Sequence, residues 1–279
     1  MTLNEIKSML MQQGILLTKS LGQNFLHDQN QVQRIADAAQ LTSGDQVLEI
    51  GPGLGPLTRA LLQQGAQVTA VEIDRRLHAS LEEAFQGEKA LTLIHADALK
   101  WLRQHPQDWS RWKLVSNLPY SVGSPIVVEL ALAPKGPSDM VVTLQQEVIE
   151  RMMAAPGSKA YGVMSLLVQL SYQIGQRFRI PASCFFPEPD VESSCLALHR
   201  RSKPLLDEDQ SRTFVQLVKL GFSQRRKVMW KLLKQRWSSE WLENARNQLG
   251  LDPMIRAQAL DLDAFVALTR VLHASDNRS

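Results

Sequence analysis

Cysteine is almost missing from this chain of 279 residues: there are two, Cys184 and Cys195, at a spacing that fits no metal site. That argues against a zinc fold or a disulfide scaffold, and in a reducing compartment both are expected to be free thiols. No apolar run approaches the roughly 20 residues of a membrane span. Met1 to Gly14 has neither the basic-then-apolar order of a secretory signal nor the acid-free, arginine-rich composition of a transit peptide, so the expected location is the cytoplasm, without membrane or metal partners. Internal repeats and low-complexity segments are absent as well. One further absence is local: from Asp45 to Thr58, around a glycine-rich stretch, there is no Lys or Arg.

Hydrophobic residues make up 44% of the chain, enough for a substantial core, and the length exceeds the roughly 100–200 residues of one typical domain. The net charge of +3 hides an asymmetry. Residues 211–279 hold 12 Lys and Arg against 6 Asp and Glu, whereas residues 1–210 hold 19 against 22. A basic end of this kind is the footprint of a phosphate-backbone partner or, failing that, a solvated helix face.

From Val47 to Val142 short β-rich runs alternate with helical patterns, which predicts an α/β domain on a mainly parallel sheet. Expected strands are 47–50, 67–71, 91–94, 113–116 and 140–144, with helices over 56–64, 75–85, 124–132 and 146–153. Runs 173–180 and 195–200 flank a connection rich in proline and aromatics, and are expected to finish one sheet edge as a strand pair. Ser202-Lys203-Pro204 opens a polar stretch, after which the pattern is helical to a frayed end at Ala274 to Ser279. The expected division is one domain over residues 1–203 and a small all-helical one over 204–279.

A strand ending in Glu49-Ile50 runs into Gly51, Gly53 and Gly55, a turn in which backbone can approach a ligand closely. Its G-x-G-x-G spacing departs from the dinucleotide fingerprint, and alone it suits a methyl donor, a nucleotide or a structural turn. Glu72 closes the next strand, where an acid accepts hydrogen bonds from ribose hydroxyls. Asp97 follows the third strand, placed either to accept from an adenine amino group or to cap a helix. The absence of a basic residue beside the loop favours a cationic, phosphate-free ligand such as S-adenosylmethionine.

Asn117-Leu118-Pro119-Tyr120 follows the fourth expected strand. An exocyclic amine conjugated to a ring is a poor nucleophile. The Asn117 side-chain oxygen and the Leu118 carbonyl can bind its N–H groups and aim its lone pair, so positioning rather than a strong base carries the reaction. Pro119 stiffens the turn and Tyr120 offers a ring for stacking. The motif alone does not separate adenine from cytosine or a glutamine amide. Phe185 and Phe186 stand as either the far side of an aromatic clamp or core residues.

With these motifs the chain resembles the ribosomal RNA adenine dimethyltransferases. The likeness runs from about Lys19 to Leu233 through Lys19-Ser20-Leu21-Gly22-Gln23-Asn24-Phe25-Leu26, the glycine loop, Val71-Glu72-Ile73-Asp74, Ala96-Asp97-Ala98, Asn117-Leu118-Pro119-Tyr120, Ser158-Lys159-Ala160-Tyr161-Gly162 and Phe222-Ser223-Gln224-Arg225-Arg226-Lys227. The resemblance implies a Rossmann-like, S-adenosylmethionine-dependent methyltransferase sheet with a small C-terminal helical domain. It implies that Asn24 and Leu26 close over the donor, that Gly51, Glu72 and Asp97 hold it, that Asn117 sits between donor and base, and that Phe185 stacks on the base. The implied reaction makes N6,N6-dimethyladenine at two adjacent adenines near the 3′ end of small-subunit (16S) ribosomal RNA, on a partly assembled 30S subunit; the expected oligomeric state is a monomer. In one respect the chain departs from the family: Glu188 and Asp190 make the Pro187–Ser193 loop acidic.

Between Arg212 and Arg236 there are eight basic residues and no acidic one. A helix over 218–236 would place Val218, Phe222, Met229 and Leu233 on one face and Lys227, Lys231 and Lys234 nearly opposite. With Arg225 and Arg226 these form the expected RNA-binding surface, gripping phosphate without reading sequence. The rival readings are a large-subunit ribosomal RNA adenine methyltransferase of the antibiotic-resistance type, a ribosome-assembly factor without catalysis and, third, a DNA adenine methylase.

Overall fold

A computed structural model describes residues 3–12 and 22–276. Lys19, Ser20 and Leu21 of the first motif lie outside the described residues, as do 277–279 of the expected frayed end. In chain order the elements are α1 (Leu3–Gln12), β1 (Phe25–Leu26), α2 (Gln29–Ala38), β2 (Gln46–Ile50), α3 (Pro56–Gln63), β3 (Gln67–Glu72), α4 (Arg75–Ala84), β4 (Leu91–His95), α5 (Ala98–Gln104), β5 (Trp112–Asn117), α6 (Gly123–Leu132), β6 (Asp139–Gln145), α7 (Gln146–Met153), α8 (Val163–Ser171), β7 (Tyr172–Ile180), β8 (Phe185–Phe186), β9 (Ser193–Arg200), α9 (Glu208–Gly221), α10 (Met229–Leu233), α11 (Ser239–Leu249) and α12 (Leu262–Asp276). Among the described residues no helix is long and apolar enough to cross a membrane.

Two compact units result: residues 1–149 with 173–200, and residues 150–172 with 201–279. In the first, seven strands order as β4-β3-β2-β5-β6-β9-β7, so the late strands finish one edge as expected. Pairing is parallel from β4 to β6 and antiparallel between β6 and β9. Chain order reverses at β2, which lies between β3 and β5. This is the switch point, outside whose strand ends α/β sheets bind ligands. Continuous apolar runs such as Val47-Leu48 and Val141-Val142 are fully buried because helices cover both faces of a parallel sheet.

The second unit differs from a single cut after residue 203, since residues 150–172 cluster with the C-terminal helices. Local bonding gives the reason. Tyr161 is buried and its hydroxyl donates to the Leu260 carbonyl (2.9 Å), while Arg201 Nε donates to the Gln169 carbonyl (3.1 Å). The expected continuous helix over 218–236 is also broken. α9 ends at Gly221, the Ser223 hydroxyl takes the Leu220 carbonyl (2.7 Å), and the Met229 amide turns to the Ile255 carbonyl (2.9 Å). The intervening Ser223–Lys227 run is polar and exposed, with three adjacent cations and nothing to bury, so it forms a turn rather than helix. At the C-terminus α12 continues to Asp276, past the expected start of fraying.

Candidate active site

The β2–β5 ladder pairs residues up to Leu48 and Leu114. Beyond it Ser116 bridges the strands, its Oγ donating to the Ile50 carbonyl (2.6 Å) and accepting from the Ile50 amide (3.3 Å). Where the strands part, a cavity opens, lined by Gly22 to Leu26, Glu49, the glycine turn, Glu72, Leu77 and Asn117 to Tyr120.

Gly51 and Gly53 hold φ of +68° and +61°, left-handed values that glycine takes without strain. Steric space is closed to any larger residue: a Cβ on Gly51 would stand 2.8 Å from Pro119 Cγ, and one on Gly53 would stand 2.9 Å from Phe25 Cδ1. Bare backbone therefore faces the cavity. Glu72 is 4% exposed and accepts from the amides of Gly53 (3.2 Å) and Asp74 (2.9 Å). Burial raises its pKa, and those backbone donors oppose the rise.

Asn117 ends β5 with Nδ2 donating to the Asn24 carbonyl (3.2 Å). That bond sets which way the amide points, because turning it over would set oxygen against oxygen. Its Oδ1 is then buried with no hydrogen-bond partner. A buried, unsatisfied acceptor costs about 1–3 kcal/mol, so its retention calls for an incoming donor. Pro119 accepts through its carbonyl from Val122 and Gly123 and starts α6. Tyr120 shares a hydrogen bond with the Ser193 hydroxyl, and burial raises its pKa. Leu118 is 1% exposed.

Of the residues singled out from sequence, Asn24, Leu26, Gly51, Glu72, Asn117, Leu118, Pro119 and Tyr120 come together here. Two do not. Asp97 caps α5, its Oδ1 accepting from the Lys100 amide (3.0 Å), and it lines a separate groove with His95, Trp101 and His105. Phe185 pairs with Leu26 across the two-stranded β1–β8 sheet and is 2% exposed, packed in the main core. Phe186 points the other way, against α1, with Lys7 Nζ 5.4 Å from its ring centre. Arg225, Arg226, Lys227, Lys231 and Lys234 are all exposed on the second unit, and Arg225 Nη1 donates to the Tyr161 carbonyl (3.2 Å).

Glu49 is the residue that the sequence reading passed over. It is 1% exposed, lines the cavity and accepts from the Thr58 hydroxyl (2.7 Å). Burial, the chief cause, and repulsion from Glu72 push its carboxyl up to about 8, against the pull of Thr58. An ionisable residue inside a strand buried on both faces was the available signal. The described lining thus holds two carboxylates and no Lys, Arg or His. Bare backbone, buried acids and an orphaned acceptor fit a cationic ligand without phosphate, beside an N–H donor.

Residues 15–273 match the family described as ribosomal RNA adenine dimethylase. The chain is 34% identical to ribosomal RNA small subunit methyltransferase A of Enterococcus faecalis, over 97% of this chain and 95% of that one. It is 37% identical to the protein of the same name from Geobacter metallireducens, over 94% and 98%. Among solved structures it is similar to the 23S rRNA methyltransferase ErmE (26% identity, TM-score 0.66, 89% of this chain and 99% of that one). In fold it is also similar to a dimethyladenosine transferase from Plasmodium falciparum (24%, TM-score 0.73, 88% and 95%).

Proposed function

The chain belongs to the ribosomal RNA adenine dimethylase family and is a methyltransferase, and on that footing we propose that it methylates N6 of two adjacent adenines near the 3′ end of small-subunit ribosomal RNA, giving N6,N6-dimethyladenine during 30S maturation. When bound, S-adenosylmethionine supplies an electrophilic methyl group on a positively charged sulfur. Backbone at Gly51 and Gly53 makes room for it, Glu72 accepts from ribose hydroxyls, and Asn24 and Leu26 close the cavity. Asn117 Oδ1 takes an N–H of the adenine amine and turns its lone pair toward the methyl group. Tyr120, its ring oriented by Ser193, stacks on the base. The basic turn Arg225–Lys227, with Lys231 and Lys234, holds RNA phosphates, and the enzyme acts in the cytoplasm as a monomer without metal.

The observation that carries this reading is the buried, unpartnered Oδ1 of Asn117, a residue that lines a cavity with two acids. The test is to incubate the purified protein with radiolabelled S-adenosylmethionine and small subunits from cells lacking this methylation, then separate the nucleosides. Labelled N6,N6-dimethyladenosine is expected. Label confined to protein-free large-subunit RNA would replace the proposal with the resistance-type activity, which the likeness to the 23S enzyme makes the natural rival.

A further inference from the structure

Two carboxylates share the cavity, yet they are served unequally. Glu72 receives two backbone amides, from Gly53 and Asp74, an arrangement that favours the ionised form. Glu49, on the adjacent strand and less exposed still, has the Thr58 hydroxyl as its hydrogen-bond donor among the described residues. Two buried acids in one cavity cannot both ionise cheaply, and the one with fewer donors keeps the proton. The groups that act on Glu49 are the Thr58 hydroxyl of α3 and the Glu72 carboxylate of β3, and the cavity they share is lined as well by Asn117 at the end of β5 and by Tyr120 in the turn after it. None of these is a cation that could hold Glu49 ionised in the empty cavity.

The proposed donor carries one positive charge more than its demethylated product, which is a neutral thioether. We propose that Glu49 is a charge-sensing residue that distinguishes donor from product: neutral in the empty cavity, it ionises when the sulfonium enters and is neutral again after transfer. The proton lost on donor binding goes to solvent. During transfer the amine sheds one proton as its new N–C bond forms and the S–C bond breaks. Glu49, its counter-charge gone, takes a proton back. Affinity for the donor is thereby raised over affinity for the product, which favours exchange between the two methylations of one adenine. The carboxyl pushed up to about 8 by burial supports this assignment, since it puts the neutral form in the majority at neutral pH. The inference rests on the donor reading above.

The test is isothermal titration of the wild-type protein with S-adenosylmethionine, and separately with S-adenosylhomocysteine, at pH 7 in buffers of different ionisation enthalpy. Proton release of more than about half a proton per donor is expected, vanishing above about pH 9, with little release for the product. In Glu49→Gln the release should disappear and the donor-to-product affinity ratio should fall roughly tenfold, the scale of one charge–charge attraction in a screened site. Donor binding whose enthalpy is the same in every buffer would overturn the proposal, as would equal release for donor and product or undiminished release in a folded Glu49→Gln. Failure of the wild type to bind donor at all would overturn the underlying reading instead. The wild-type comparison decides the matter even where the variant does not fold.

Discussion

Pro119 Cγ lies 2.8 Å from the point where a Cβ on Gly51 would stand, so the glycine turn after β2 and the Asn117–Tyr120 turn after β5 are fitted against each other. Gly51→Ala forces either φ of +68° on an alanine or a shift of Pro119. The expected outcome is a strain cost of about 1–2 kcal/mol, together with a loss of donor affinity. Gly44→Ala is the control, for Gly44 has φ of +89° and nothing within 4 Å of its Cβ position. It should lower the melting temperature and leave donor affinity unchanged. Calorimetric titration of both variants checks the pair, and equal donor affinity in both would show that the two turns are not coupled.

Asn117 offers a second, sharper prediction. Its Nδ2 is engaged by Asn24 and its Oδ1 is unpartnered. Asn117→Ala should cut the methyl-transfer rate by roughly 10²–10³, and change donor affinity much less. Single-turnover transfer to small subunits measures the first and titration the second. A variant that transfers within about tenfold of wild type would remove Asn117 from the chemistry.

Much of this site is legible in sequence because its parts sit at strand ends, where apolar runs stop at glycine, proline and lone acids. Gly51 follows β2, Glu72 and Asn117 end β3 and β5, and the alternation of runs sufficed to order them. Asp97 shows the limit: an acid before Ala98-Leu99 reads either as a ligand or as a cap, and its Oδ1 accepts from the Lys100 amide. Phe185 and Phe186 show another. Their opposite fates follow from pairing with β1, a contact far off in sequence that no local pattern encodes. The pattern of Val218, Phe222, Met229 and Leu233 continues across the break after Gly221, although Val218 is buried in α9, Met229 and Leu233 in α10, and Phe222 lies between them.

Tyr120 and Ser193 hold each other through their hydroxyls, and Ser193 is fully buried. Tyr120→Phe and Ser193→Ala should each cost about 1–3 kcal/mol of stability by orphaning the partner. The double variant should cost less than the sum of the two. Tyr120→Ala removes the ring as well, and should weaken RNA binding by a further ~1–3 kcal/mol if it stacks on a base. Thermal melts and filter binding separate these effects. Equal RNA affinity for Tyr120→Phe and Tyr120→Ala would exclude stacking.

Glu49 makes the stability of the ligand-free protein depend on pH. Its carboxyl titrates near 8 when folded and near 4.5 when exposed, so between those values the folded state binds more protons than the unfolded one. Its contribution to stability is full below about 4.5 and is lost as pH rises towards 8, at up to about 1.4 kcal/mol per pH unit. Glu49→Gln should flatten this slope and leave the variant more stable than wild type at pH 8. Urea unfolding from pH 5 to pH 8.5 checks it. Parallel curves for the two proteins would place the ionisation elsewhere.

Arg225 and its neighbours Arg226 and Lys227 are adjacent in sequence but differently placed. All three are exposed, but Arg225 Nη1 donates to the Tyr161 carbonyl, tying the basic turn to the Ser158–Gly162 segment of the same unit. If the turn grips phosphate, Arg226→Ala and Lys227→Ala should each reduce the slope of log affinity against log salt by about 1. Binding should weaken for every RNA sequence alike, because such contacts position without reading bases. Arg225→Ala should additionally lose up to about 1 kcal/mol of stability, and Arg225→Lys should not restore it, since a lysine lacks the planar fork that reaches both carbonyl and phosphate. Salt titrations of RNA binding beside thermal melts distinguish the roles. A salt slope unchanged in both Arg226→Ala and Lys227→Ala would leave the turn as a solvated loop and move the RNA-binding surface elsewhere.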